Sequence, residues 1–314
     1  MKSLHLWIFS ALCLETCLSY HVMFYHDIGA KSHLIQYSPM VEELLRQGHE
    51  VTSVFFNSLK IKHENYTEII VPNAFESAYK GFTKVLMADG GMSVWNYKLW
   101  LFMYEAWTGA VKDIALTPVR EKKIVELMKS EKKVHLFVTT FGSAVFLADH
   151  FDCPVAMFLP IGPANMVLEG SGNVINPSIQ PHQLSGHIDL NTFYARFINH
   201  FALNGEALLW KWIFAQITHI QREELGPGTR SKSEIMRDRF SILIGCSHPI
   251  THGSWPYLPN IIEVGAMHVK DPKPLPNDLQ TLMDSATGMN CIKIGLPGKL
   301  ILSKRKALLE VQFT

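Results

Sequence analysis

His21-Val22-Met23-Phe24-Tyr25 opens the stretch that decides the fold. Behind it come Gly29-Ala30-Lys31-Ser32-His33, an amphipathic segment reaching Arg46, then Gly48-His49-Glu50 and a second apolar run, Val51-Thr52-Ser53-Val54-Phe55-Phe56. Leu34, Tyr37, Val41, Leu44 and Leu45 fall on one face at helical spacing. Gly48 stands where a helix C-terminus takes a left-handed residue. Strand, tight loop, helix, turn and strand in that order predict a βαβ crossover with parallel strands. The expected class is α/β, a Rossmann-like parallel sheet with helices on both faces.

His33 falls at the junction of loop and helix, on the side of an α/β sheet where ligands bind. A helix N-terminus disfavours imidazolium, so the ring stays neutral and can take a proton from a hydroxyl. The competing reading is that His33 fills space or bonds a nearby carbonyl.

Ahead of this stretch, Met1-Lys2-Ser3 precedes a short apolar run, and the small residues Cys17 and Ser19 stand two apart before Tyr20. That pattern predicts a secretory signal peptide over residues 1–19. Cys13 and Cys17 belong to it; Cys153, Cys246 and Cys291 remain, an odd number at wide spacing. Such cysteines make neither a disulfide framework nor a zinc site. Asn65-Tyr66-Thr67 is a sequon, making Asn65 the expected glycosylation site in a secretory compartment. The 314 residues are 47% apolar and 18% charged, a composition that folds. Twenty-nine basic residues against 28 acidic ones leave a net charge of +1, which excludes a general nucleic-acid-binding surface.

Further along, Ile69-Ile70-Val71 predicts a strand, and residues 122–132 a charged, solvated helix. Val134-His135-Leu136-Phe137-Val138-Thr139, an apolar helix ending at His150 and Cys153-Pro154-Val155-Ala156-Met157-Phe158 form a second βαβ unit. Residues 95–107 read as a helix with apolar side chains on nearly every face, including Trp95, Trp100 and Phe102. Core packing accounts for it, and one face lining an apolar small-molecule pocket is compatible with that. Residues 162–187 are loop-like; residues 192–221 return to helix, dense in aromatics from Phe193 onward. Ser241 to Cys246 and Ile261 to Val264 predict two more strands, and Lys270-Asp271-Pro272-Lys273-Pro274-Leu275-Pro276 has the composition of a semi-rigid linker. His248 and His252 stand four apart, but Pro249 and Gly253-Ser254-Trp255-Pro256 make the stretch a turn, so no metal is expected there. No dinucleotide fingerprint, phosphate-binding loop or nucleophile elbow occurs.

Ser32-His33, Leu44-Leu45-Arg46-Gln47-Gly48-His49-Glu50-Val51-Thr52, Pro256-Tyr257-Leu258-Pro259-Asn260-Ile261-Ile262-Glu263-Val264-Gly265 and Lys273-Pro274-Leu275-Pro276 together resemble the N-terminal half of the animal UDP-glycosyltransferases, arthropod members above all. The resemblance implies the N-terminal domain of a GT-B fold with the donor domain mostly absent. Residues 20–270 would be the acceptor-binding domain, 271–287 the interdomain linker and 288–314 the start of the UDP-sugar-binding domain, with a strand over 289–298 and a helix over 304–310. His33 matches the general base of an inverting hexosyltransferase. Thr140 stands where the family often has the acidic partner of that histidine; a hydroxyl can orient an imidazole but cannot stabilise imidazolium as a carboxylate does.

The resemblance further implies a small lipophilic acceptor, with Trp95, Trp100, Phe102 and Phe193 as candidate acceptor-binding residues. It implies no metal and no cofactor: UDP-glucose or UDP-glucuronate would be a co-substrate, held by a donor domain supplied beyond these residues. The expected location is the endoplasmic reticulum lumen or the secreted fraction, without the family's membrane anchor. The alternative is a non-catalytic luminal protein that binds lipophiles, or that pairs with full-length UDP-glycosyltransferases as a hetero-oligomer and regulates them.

Overall fold

The seven-residue spacing between Gly29 and Gln36 is too short for the long helix that the apolar face predicts, and Pro39 explains why. The chain leaves β1 (His21–His26), passes Gly29 and forms a short helix α1 (Lys31–Ile35), then restarts as α2 (Ser38–Arg46). Pro39 lies in the first turn of α2, where its missing N–H is no loss, whereas inside one continuous helix it would break a hydrogen bond. Gly48, at φ 83°, takes the left-handed conformation that ends α2, and β2 (Glu50–Phe55) follows. The computed structural model describes residues 19–26, 29, 31–74, 76, 97–182, 189–253, 255–285, 291–295, 299–304 and 307–312. Residues 1–18 of the expected signal peptide and Trp95 lie outside the described residues.

Next come β3 (Tyr66–Ile70), α3 (Tyr97–Arg120), α4 (Lys122–Lys129), β4 (Leu136–Thr139), α5 (Phe146–His150) and β5 (Val155–Leu159). A short α6 (Asn165–Leu168) and a 3-10 turn (Glu169–Ser171) fall within the stretch expected to be loop. The long α7 (Phe193–Leu225) starts on Thr192, whose hydroxyl accepts the Ala195 N–H. α8 (Lys232–Arg239) starts on a capping box between Ser231 and Glu234 and runs into β6 (Phe240–Gly245); α9 (Pro249–His252) and β7 (Ile261–Glu263) complete the unit. No described helix is long and apolar enough to cross a membrane.

The seven strands form one sheet in the order β3-β2-β1-β4-β5-β6-β7, every neighbouring pair parallel. β1 pairs on both edges, Val22 with Val51 on one side and with Leu136 on the other. Alternate side chains point to opposite faces. Val22 and Phe24 pack with Leu34, Tyr37, Val41 and Leu45 of the α1–α2 segment, while Met23 and Tyr25 pack on the face covered by α4, α5 and α8. Helices therefore cover both faces, as the sequence predicts. α3 and α7 pack on each other through Trp107 and Trp210, whose rings meet edge to face at 4.4 Å.

The chain divides into two compact units, residues 1–268 and 269–314. The second holds a helix α10 (Asn277–Asp284), inside the stretch expected as linker, and three antiparallel strands, β8 (Cys291–Gly295), β9 (Lys299–Lys304) and β10 (Ala307–Gln312). The helix expected over 304–310 is thus overturned. Lys304 pairs with Ala307, so two residues join β9 to β10, the length of a tight hairpin. The alternation Leu309-Glu310-Val311-Gln312 has the two-residue period of a strand, and a basic run alone is a weak helix signal.

Phe137 is fully buried at the centre of the sheet. Truncating it to alanine should cost about 3–5 kcal/mol of unfolding free energy. Urea titration of the variant measures this; a loss below about 1 kcal/mol would show that this face is not packed.

Candidate active site

The strand order reverses between β1 and β4, and in open α/β sheets ligands bind outside the carboxyl ends of the strands at such a switch point. His26 ends β1 and Thr140 follows the last residue of β4, so the two flank that crevice. Their side chains meet: Thr140 Oγ1 and His26 Nδ1 are 2.8 Å apart, both residues fully buried. Thr140 also hydrogen-bonds the phenol of Tyr37, and Tyr37 OH donates to the carbonyl of Phe158 on β5 at 3.5 Å. Tyr37 itself is buried, edge-on to Phe24 and Phe158.

His33 lies in the middle of α1, not at the first residue of a long helix. Its ring is 6.1 Å from that of His26, centroid to centroid, and its Nδ1 is buried without a hydrogen-bond partner. His26 Nε2 is likewise buried and unpartnered. Both nitrogens face Gly29: a methyl group there would come within 2.5 Å of His33 Nδ1 and 3.3 Å of His26 Nε2. Gly29 also has φ 134°, a conformation that side chains disfavour. Asn73 holds this glycine in place by donating to its carbonyl at 3.0 Å.

Burial lowers the pKa of His33 below the usual 6.5. The neutral imidazole expected from the sequence is therefore produced by desolvation; a five-residue helix has little dipole to supply. His26 is pushed down to about 3, by burial first and by the neighbouring His33 second. With Nδ1 buried, the half-buried His33 ring presents Nε2 towards the open side. A neutral ring with one nitrogen held inside and the other outward can accept a proton from a ligand hydroxyl.

Thr140, the expected partner of His33, is thus bonded to His26 and Tyr37, and His26 stands between it and His33. Trp100 is half-buried with its ring 5.2 Å from that of His182, and Phe102 is half-buried further along α3. Phe193 is 76% exposed at the start of α7, stacked on Phe197. Among the described residues the ring paired with that of His33 is that of His26. Asn65 sits in the turn before β3, two residues from the exposed Thr67. His248 caps α9, its Nδ1 accepting the Ile250 N–H.

Sequence reasoning passed over His26 and misread Tyr37. His26 was legible as a histidine ending the central apolar strand; Tyr37 was counted among the apolar face of the helix, although a buried phenol needs a partner. The loop carrying Thr140 is also held from α8: Lys232 Nζ donates to the carbonyl of Phe141 at 2.8 Å and lies 3.3 Å over the Phe214 ring. Burial lowers this lysine to about 7.

Because His26 is far easier to protonate unfolded, at about 6.5, than folded, at about 3, the unfolded chain binds the proton first as pH falls. Stability present above pH 6.5 should therefore drain away down to about pH 3. His26→Leu should begin less stable than wild type at neutral pH and its deficit should shrink on acidification. Urea titrations at a series of pH values check this; parallel curves would contradict it.

The model of the family described as UDP-glucoronosyl and UDP-glucosyl transferase matches residues 28–301. UDP-glycosyltransferase UGT4 of Dactylopius coccus is 23% identical over 303 residues, which cover 92% of this chain and 57% of that protein. UDP-glucuronosyltransferase 2B9 of Macaca fascicularis is 24% identical over 293 residues, 86% of this chain and 53% of that protein. Among solved structures, Phytolacca americana UGT2 complexed with UDP-2fluoro-glucose and pterostilbene is 9% identical and covers 85% of this chain and 57% of that one, with a TM-score of 0.39, a likeness too slight to bear on the site. The chain spans about half the length of the curated relatives it matches. With seven parallel strands, a histidine at the switch point and a family match over most of its residues, the chain belongs to the UDP-glucuronosyl and UDP-glucosyl transferases.

Proposed function

We propose that this chain supplies the acceptor side of an inverting hexosyl transfer, with His33 as general base. The observation that carries the reading is the neutral His33 ring at the switch point, one nitrogen buried and the other outward. His33 Nε2 takes the proton of an acceptor hydroxyl. The oxygen forms a bond to the anomeric carbon of a UDP-hexose from the face opposite the nucleotide. The anomeric carbon–phosphate oxygen bond breaks and its electron pair leaves with UDP. Turnover needs a donor domain to hold the sugar nucleotide, either continuous with these residues or supplied by a full-length family member.

A small lipophilic alcohol, phenol or acid suits the aromatic content of α3 and α7, with Trp100, Phe102, Phe193 and the neighbouring Trp95 as candidate acceptor contacts. A secretory location, with a leader over residues 1–19 and a glycan on Asn65, belongs to the same reading.

A second reading is favoured by two observations. Thr140 offers His33 no carboxylate, and a cavity of about 720 Å³ opens between α7, α8 and the 3-10 turn, lined by Trp210, Phe214, Met236, Lys211, Arg222 and Lys232. Its size and its mixture of aromatic and basic side chains suit a lipophilic anion, as a non-catalytic lipophile-binding or regulatory luminal partner would need.

Transfer from radiolabelled UDP-glucose and UDP-glucuronate to a panel of phenols separates the two, using the chain joined to a family donor domain. His33→Ala should lower turnover by roughly two or more orders of magnitude. The acid limb of the wild-type rate should lie below 6.5, because burial lowers the His33 pKa. A near-normal rate in the variant would remove His33 from the mechanism, and phenol binding without turnover in the wild type would favour the second reading.

A further inference from the structure

We propose that the cavity between α7, α8 and the 3-10 turn binds an amphiphilic organic carboxylate, with Lys232 as the counter-ion of its anionic end. This deepens the second reading above by naming the ligand class and the residue that selects it, and it holds whatever His33 does. The site is distinct from the switch point, because His26, His33 and Thr140 do not line it.

The cavity measures about 720 Å³, inside the range of small-molecule sites, about 300–1,000 Å³. None of its lining residues is a carboxylate, whereas Lys211, Arg222, Lys232 and Arg237 are all cationic. Carboxylates beside these cations on the same helices are engaged elsewhere. Glu224 pairs with Arg120, Asp238 lies between Arg230 and Arg237, and Glu234 accepts from the Ser231 backbone and hydroxyl in the capping box of α8.

A lysine stem usually carries its ammonium out to water. Lys232 turns inward instead. Its stem runs over Gly142, where an added methyl group would meet Cε at 2.9 Å, and its Nζ rests 3.3 Å over the Phe214 ring. One of its N–H groups is spent on the Phe141 carbonyl at 2.8 Å, which leaves two to give. Among the described residues no carboxylate pairs with it, and burial is the cause that lowers its pKa to about 7. Such a cation costs free energy until an anion joins it. α8 begins at this residue, so the partial positive charge of the helix N-terminus acts at the same place. Phe214, Met236 and Phe240 line the cavity as well and give it an apolar wall. A bare inorganic anion would leave that wall unfilled, and a neutral lipophile would leave Lys232 unpaired. A carboxylate on an apolar body answers both.

Calorimetric titration of the full chain at neutral pH with naphthylacetate, and with its uncharged counterpart naphthylacetamide, tests the charge. The wild type should bind the carboxylate about tenfold or more tightly than the amide, the size of a charge-assisted hydrogen bond. Lys232→Gln keeps a donor for the Phe141 carbonyl and removes the charge, so it should abolish that difference. His33→Ala should bind both probes as the wild type does. Equal affinities in the wild type, a preference that survives Lys232→Gln, no binding of either probe, or loss of carboxylate binding in His33→Ala would each overturn the proposal. If Lys232→Gln does not fold, proton uptake by the wild type replaces it. A carboxylate beside Lys232 raises its pKa from about 7, so the complex takes up protons and the heat of binding depends on the ionisation enthalpy of the buffer. Heats that are the same in two such buffers would overturn the proposal in that case. Turnover by a joined chain would sink the second reading and leave this site standing, because none of these measurements involves sugar transfer.

Discussion

Everything near the site depends on the complete enclosure of β1. The strand is paired along both edges and covered on both faces, so each of its six side chains is buried. Five of the six positions are easily filled, by aliphatic and aromatic side chains and by His21, whose Nε2 lies 2.8 Å from the Thr52 hydroxyl. The sixth, His26, brings an imidazole into the same dry environment at the carboxyl end of the sheet. Burying a polar ring there is tolerated only with hydrogen-bond compensation, and Thr140 with Tyr37 provides it on one side. The neutrality of His33 follows from the same enclosure, because the short α1 is pressed against that end of the sheet by Leu34 and Tyr37.

The crossover architecture was legible because local and global signals agree in it. Apolar runs of strand length, Gly48 at the end of α2 and helical spacing between them all describe the observed unit. The places where expectation and structure part have local causes. Pro39 divides one expected helix into α1 and α2, and this is invisible to a count of apolar spacing. At the other end of the sequence, Lys304 to Lys306 looked like the start of a charged helix, while the alternating residues after it belong to a hairpin strand. Basic residues occur at turns and helix ends alike, so they carried no information about which.

The site was half legible. His33 is visible from sequence because it follows a glycine-bearing loop after the first strand, and Thr140 because it follows the strand that becomes β4. What joins them is not readable that way. His26, Tyr37 and the Phe158 carbonyl converge from β1, from the break between two helices and from β5, and one of the three is a backbone atom that every residue possesses. Position along one element singles out His33; the buried groups beside it come from two strands and a break between helices and meet only in the folded sheet.

Gly29 gives this corner of the molecule a property that belongs to its history more than to its energetics. The volume that a side chain at residue 29 would need is the volume the ring of His33 fills. The two positions are therefore not free to vary one at a time. Losing the imidazole removes the tightest contact at 29 but not the backbone cost of φ 134°, so a larger residue there is less costly in that background without becoming neutral. Once 29 has changed, regaining the histidine requires the glycine first, so a second substitution four residues upstream makes loss of the ring hard to reverse.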